Sequence, residues 1–399
     1  MIASYRKRYN QEFTEEKYQA FLADCDREAG YPIEFRIAET PVFISRSFAA
    51  KVFEACDQIL RVITSEEYYR LSADAIPPAL RVANEPRHPS TIALDFAVCA
   101  DENGDLIPQL IELQSFPSLF CYQHWLAGLY RRHFFVPQEL QHLFGGLQHD
   151  SYLDLLRRWI IAEEDPQTVI LLEIEPTKQK TRVDFELTRK FLGIDYVCIS
   201  EVIREGRKLY YRKNGKLIPI RRLYNRVIFD ELQQRSDLNL QFHLTEEVDI
   251  QWVSHPNWFF RISKYSLPFL DGPYVPDSVF VSDLDHIPAD LENYVFKPLF
   301  SFSGAGVVFD VTQETLTSVS NPANYVLQRK ANYTPFLQAP DGGVKAELRM
   351  LFLWLPDWPQ PRLVTNLMRL SRGKMIGVDY NRNMTWVGGS IGFFEPLEP

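Results

Sequence analysis

The stretch Tyr294-Val-Phe-Lys-Pro-Leu-Phe-Ser-Phe-Ser-Gly-Ala-Gly-Val307 sets a lysine at the end of an apolar run and follows it with serines and glycines. A polyphosphate needs a nearby cation and backbone N–H groups that can come close to it. Lys297 supplies the charge, and Ser301, Ser303, Gly304 and Gly306 form a segment with little steric bulk. The expected ligand is ATP. No Gly-Lys-Ser/Thr tail follows the glycines, so this is not a Walker loop. Taken alone, the segment reads equally well as a hairpin with a glycine turn and a surface-lying lysine.

Other residues extend that chemistry. Val326-Leu-Gln-Arg-Lys330 reads as a strand that can offer backbone groups to an adenine edge. Glu347 and Arg349 stand two apart on a strand and therefore share a face, with Arg369 expected on the neighbouring strand. A carboxylate beside a guanidinium suits either a Mg²⁺–phosphate site or a plain salt bridge. Upstream, Glu112 and Gln114 share a face of the strand 109–114, and Asp95 joins them if the hairpin register allows.

A second group competes for attention. Cys121-Tyr-Gln-His124 has metal-ligand spacing, and His133, His142 and His149 follow, but no second close pair exists and the aromatic neighbours favour packing over zinc. The cysteines lack the His/Asn partner pattern of a thiol nucleophile.

These residues need elements to hold them. The chain of 399 residues is long enough for two or three packed lobes, and 46% hydrophobic with 24% charged residues is ordinary for a globular protein. A net charge of −9 argues against a nucleic-acid surface. Five scattered cysteines read as reduced thiols, and neither a signal peptide nor an apolar run of about 20 residues is visible. The expectation is a cytoplasmic protein with no membrane and no nucleic-acid partner.

Helices are expected over 15–29, capped by Thr14 and closed by Gly30, and from Ser47 to about residue 63. Strands over 92–98 and 109–114 flank the turn Asp101-Glu-Asn-Gly-Asp105. From residue 167 the pattern becomes strand (168–173), helix (182–192), strand (195–199), which suggests a small parallel sheet. An Asn-Gly hairpin spans 208–220, and a basic, aromatic strand covers 221–229. The last third is mostly β, with strands expected over 294–298, 306–310, 325–330, 346–355, 361–370 and 374–378.

The order of these features resembles the circularly permuted ATP-grasp ligases, the group that includes eukaryotic glutathione synthetase and glutathionylspermidine synthase. The resemblance runs from about residue 91 to 389 and rests on the order of several short signals. In that group an acidic hairpin ending in Glu-x-Asn precedes the nucleotide lysines, and Leu94-Asp-Phe96 with Ile111-Glu-Leu-Gln-Ser115 resembles it. The resemblance implies metal ligands at Asp95 and Glu112, with Gln114 where Asn is usual and Glu347 as a further candidate. Lys264 in Phe260-Arg-Ile-Ser-Lys264 resembles the first nucleotide lysine and Lys297 the second, while Gln328 falls at the adenine hinge. Arg226 looks like a substrate-side arginine, and Arg349 and Arg369 resemble late arginines that meet phosphate or substrate.

The implied fold is α+β, with antiparallel sheets flanking an ATP cleft and a small α/β lobe. Its expected divisions are 1–165 (helical segment and metal-binding hairpin), 166–255 (substrate-side lobe) and 256–399 (nucleotide lid and core). The implied reaction is ATP- and Mg²⁺-dependent joining of a carboxylate to an amine through an acyl phosphate. The partners would be a small-molecule or peptide substrate bearing the carboxylate and an amine co-substrate. Two departures bear on this: Leu299-Phe-Ser-Phe302 carries no acid where the family loop often has one, and Gln114 replaces the hairpin asparagine. They motivate a second expectation, an ATP-binding protein with a degenerate site. A kinase that stops at phosphoryl transfer is a third.

Overall fold

The computed structural model describes residues 1–301, 304–373, 381 and 383–396. Ser303 and the strand expected over 374–378 lie outside the described residues.

The largest sheet has strand order Gly388–Ser390, Arg362–Ser371, Gly342–Leu353, Thr91–Ala100, Leu106–Gln114, with Leu337–Ala339 paired onto Gly342–Leu353. All of its neighbours run antiparallel. The hairpin forms because two apolar strands flank a self-closing turn. Asp101 Oδ1 accepts from the backbone N–H groups of Asn103 (3.0 Å) and Asp105 (2.9 Å), and Gly104 takes the left-handed conformation. Along Thr91–Ala100 the residues Ile92, Leu94, Phe96 and Val98 are fully buried in the main core. Asp95 alternates with them and looks the other way.

The helices Glu15–Ala29, Arg46–Ile63 and Phe120–His133 supply much of that core, through Phe21, Phe48, Val52, Ile59 and Leu126. Thr14 caps the first by accepting from Lys17 N–H, and Gly30 closes it in the left-handed conformation. The second starts at Arg46, two residues before the start implied by a Ser47 cap. The preceding Ser45 makes no capping bond.

Val169–Glu173, Asp195–Cys198, Arg222–Asn225 and Gln251–Val253 build a four-stranded parallel sheet. The helix Arg182–Leu192, ended by Gly193, makes the first crossover. This sheet has its own core of Ile170, Leu172, Val197, Leu223 and Phe242. The strand expected over 221–229 stops at Asn225, whose Oδ1 accepts from Val227 N–H at 3.1 Å and turns the chain into the helix Phe229–Gln233. A third sheet, Ser278–Phe280, Tyr325–Arg329, Tyr294–Pro298, is antiparallel. The strand expected over 306–310 is absent, and only Val308 bridges back to Phe296. Gly304 and Gly306 both have positive φ in the turn that returns the chain, and a Cβ on Gly306 would lie 2.8 Å from Pro298 Cγ.

No helix among the described residues is long and apolar enough to cross a membrane. The edge strand Gly388–Ser390 is tied to the N-terminal segment at a point of close backbone approach. Gly388 has φ +124°, and a Cβ there would sit 2.4 Å from Arg36 O. Gly388→Ala is expected to destabilise the protein by more than about 2 kcal/mol in denaturant unfolding, since neither the backbone conformation nor the carbonyl can yield cheaply.

Candidate active site

The site is assembled on one face of the large sheet and on the edge of its hairpin. Register places Asp95 directly between Glu112 on one side and Arg349 on the other. Glu347 is paired with Arg369 one pleat along. Glu112, Asp95, Arg349, Glu347 and Arg369 therefore share a face. Arg349 grips Asp95 with both arms, Nε to Oδ1 at 2.6 Å and Nη2 to Oδ2 at 2.5 Å. Arg369 Nη1 lies 3.1 Å from Glu347 Oε2 and 3.6 Å from Asp95 Oδ2. Tyr333, which no sequence pattern singled out, donates its hydroxyl to Glu347 Oε1 at 2.7 Å. Burial pushes the Glu347 carboxyl above its ordinary range, with Arg369 opposing.

A bulge shapes the hairpin edge. Asp95 faces Glu112 while Phe96 faces Leu110, so Ile111 has no partner in the ladder. The freed Ile111 carbonyl accepts from Lys297 Nζ at 2.8 Å. Lys297 also donates to Gln328 Oε1 at 2.5 Å, and Gln328 Nε2 donates to Leu110 O at 3.3 Å. Gln328, expected at an adenine hinge, thus bridges the two sheets through its side chain. Burial lowers the Lys297 ammonium to about 8, with Glu112 pulling it back up and Lys264 adding to the depression.

Lys264 begins the short 3₁₀ segment Lys264–Phe269 and enters from the opposite wall. Its ammonium donates to Ser301 O at 2.6 Å and lies 3.6 Å from Glu112 Oε1. Between these walls runs a narrow crevice lined by Glu112, Gln114, Phe116, Lys264, Phe300 and Ser301, with a volume of about 10 Å³, roughly the space of one water molecule. Ser301 Oγ is buried and has no hydrogen-bond partner among the described residues.

Arg226 lies just behind this wall, at the carboxyl end of the parallel sheet. Its Nη1 donates to Phe116 O (2.9 Å) and Pro117 O (3.0 Å), and its Nε is buried without a partner among the described residues. Glu173, also missed from sequence, ends the neighbouring strand, and burial raises its carboxyl to about 8 against the pull of Arg226. Burial likewise raises Asp230, against the pull of Lys264. The carboxyl ends of parallel strands are where α/β sheets take ligands.

Lys264, Lys297, Arg349 and Arg369 thus gather with Asp95, Glu112 and Glu347 in one electrostatic cluster. With Asp230, on which Lys264 also acts, four cations meet four acids, so the cluster is formally balanced. Gly304 and Gly306 make the turn described above, beyond Ser301. Among the described residues no group of three or more His, Cys, Asp or Glu is arranged to hold a metal. A divalent ion bound mainly through phosphate oxygens needs only one or two protein carboxylates. Glu112, with its side chain 34% exposed, offers one.

The Cys/His candidates separate. Cys121 is buried beside Asp184 and Thr188, and His133 contacts Asp24 at 2.9 Å. His124 instead meets His142 and His149.

No protein-family model and no curated protein matches this sequence. Among solved structures, a glutathione synthetase-like effector from Globodera pallida, in its apo form, superposes with a TM-score of 0.57. The two are 11% identical, and the match covers 96% of this chain and 97% of that one. The likeness at that identity is one of fold: this chain carries a mixed α+β, glutathione synthetase-like fold.

Proposed function

We propose that this protein is an ATP-dependent carboxylate–amine ligase of the circularly permuted ATP-grasp type, working through an acyl phosphate. The observation that carries the reading is the gathering of two buried lysines around Glu112: Lys264 lines the crevice that Glu112 borders, and Lys297 lies close enough to feel both. Structural work does not require it, because a fold is not stabilised by burying an ammonium such as that of Lys297, which burial and the nearby Lys264 both disfavour. Each ammonium has three donors, of which Lys297 uses two and Lys264 one. The remaining donors and the orphaned Ser301 hydroxyl are available to phosphate oxygens. Glu112, with Gln114 beside it, would hold Mg²⁺ together with those oxygens. When bound, the nucleotide and metal supply an activated phosphoryl group. Arg349, Arg369 and Arg226 would orient the acid and neutralise charge that develops on it.

A second reading is an ATP-binding protein without ligase chemistry. It is favoured by Asp95, which gives both carboxylate oxygens to Arg349, and by the small volume of the crevice. The two readings separate in one assay. With Mg²⁺, ATP and pooled amino acids and short peptides, a ligase releases ADP only when a matched acid is present. Hydroxylamine then traps the acyl group as a hydroxamate. Stabilisation by ATP without ADP release or hydroxamate would leave the binding reading. Absence of both would remove the nucleotide assignment itself.

A further inference from the structure

A much larger cavity, about 830 Å³, shares no lining residue with the crevice. That is within the range of small-molecule sites. Its wall carries a chain of three imidazoles. His124 Nδ1 is 3.0 Å from His142 Nε2, and His124 Nε2 is 2.8 Å from His149 Nδ1. The rings come from three elements: the helix Phe120–His133, the segment before residue 148, and the first residue of the helix His149–Ile160. His142 is fixed by its own carbonyl, which accepts from Thr365 Oγ1 (3.2 Å) and Asn366 Nδ2 (3.3 Å).

Proton accounting limits what this chain can be. A neutral imidazole has one donor and one acceptor nitrogen, so His124 donates to one neighbour and accepts from the other. Both of its nitrogens are thereby spent on different rings. No single point receives three imidazole lone pairs, which argues against a metal centre and agrees with the lack of a metal-holding group among the described residues. The outer nitrogens, His142 Nδ1 and His149 Nε2, make no hydrogen bond to any described residue and remain for a ligand.

The charges around the cavity favour an anion. Both acids that line it are already committed, Glu28 to Trp125 Nε1 (2.7 Å) and Arg132 (2.6 Å), and Glu139 to the Tyr5 hydroxyl (2.6 Å). Arg131 spends its guanidinium on the carbonyls of Pro137 and Leu140 and on the face of Phe393, with no ion pair among the described residues. Lys190 makes no ion pair within the described residues and acts on Glu28 only at longer range. Leu140, Leu143, Phe191 and the ring of Trp125 give the cavity an apolar side. The elements packed against the imidazoles thus present Glu28, Arg131, Arg132, Glu139 and Lys190 as charges, Tyr152 as a ring 5.1 Å from His124, and otherwise uncharged groups.

We propose that this cavity is a second ligand site, for a small organic anion with an aromatic or apolar body, whose binding draws a proton onto the His124–His142–His149 chain. Without a ligand, burial holds His124 down to about 4 and His142 to about 3, and their neighbouring imidazoles push the same way, so these two rings are neutral at physiological pH. An anion in the cavity offsets that penalty. A central His124 cation donates to both neighbours, so one proton is accommodated without breaking the chain. Binding therefore tightens as pH falls.

The test uses phenyl phosphate and phenylacetate as two anion chemistries and benzyl alcohol as the neutral control. Each is titrated calorimetrically into the full chain at pH 6 and pH 8, in two buffers of different ionisation enthalpy. At least one anion is expected to bind severalfold tighter at pH 6 than at pH 8, with proton uptake, which requires the bound chain to hold its proton up to about pH 6.5. The alcohol is expected not to bind. His142→Gln is expected to remove the pH dependence, and Lys190→Ala, an exposed change that leaves folding intact, to weaken the anion severalfold. Which anion binds identifies the head group. No saturable binding of either anion below about 10 mM overturns the proposal, given that even small ligands of this size reach that range. So does binding that neither substitution alters.

Discussion

Arg349→Ala is expected to destabilise the protein by about 3–5 kcal/mol in denaturant unfolding, the usual penalty for stripping the partner from a buried charge. The Asp95 side chain is 3% exposed and that of Arg349 10%, so water cannot take over the lost bonds. The nearest remaining cation is Arg369, 3.6 Å away and already shared with Glu347. The pair as a whole stabilises far less than its removal by halves suggests, because desolvating two charges offsets most of their attraction. The double substitution Asp95→Leu with Arg349→Met is therefore expected to recover most of the loss. A single-mutant loss below about 1 kcal/mol would mean the pair behaves as a hydrated surface bridge, and the buried cluster would lose its standing as a functional feature.

The second large effect concerns nucleotide binding. Lys297→Met is expected to abolish stabilisation by Mg-ATP, which for the native chain should reach about 2.7 kcal/mol at a hundred times Kd. Methionine keeps the length and apolar stem while removing a buried charge, so the variant is expected to stay folded. It leaves Ile111 O and Gln328 Oε1 without their donor, a cost of about 1–3 kcal/mol. If Lys297 only ties the bulged hairpin to the third sheet, the variant will lose stability and keep its full response to ATP.

The pH dependence gives a further check with a definite sign. The folded-state value for Lys297, about 8, lies below its ordinary 10.5. Between those values the unfolded chain holds the extra proton, so this residue makes the unliganded protein more stable as pH rises from about 8 to 10.5. ATP binding needs the ammonium and should weaken over the same range. Opposite slopes with and without ATP, both lost in Lys297→Met, are the expected pattern in thermal scans.

Much of the local structure was legible because it rests on short-range chemistry. Thr14 and Gly30 mark a helix by capping, Asp101 to Asp105 close a hairpin by side-chain acceptors, and the Asn-Gly pair at 214–215 turns another. Where expectation failed, tertiary demands prevailed. The run 306–310 has strand composition but only one residue's worth of partner, and 221–229 was cut short by an Asn225 turn that the residue pattern does not announce.

The sequence by itself determined the inventory: which acids, lysines and arginines exist, which pairs share a strand face, and where the chain alternates between core and cleft. Those are matters of period and composition. Only the tertiary structure decided which of them meet. Pairing between strands some 250 positions apart joined Asp95 to Arg349, and a single bulge freed the Ile111 carbonyl for Lys297. Tyr333 and Glu173 have no local signature at all, and the histidines noted at 124, 142 and 149 gave no sign that they join as a chain. They matter because burial changes the free energy of a charged or hydrogen-bonding group, and burial is a property of the packed chain.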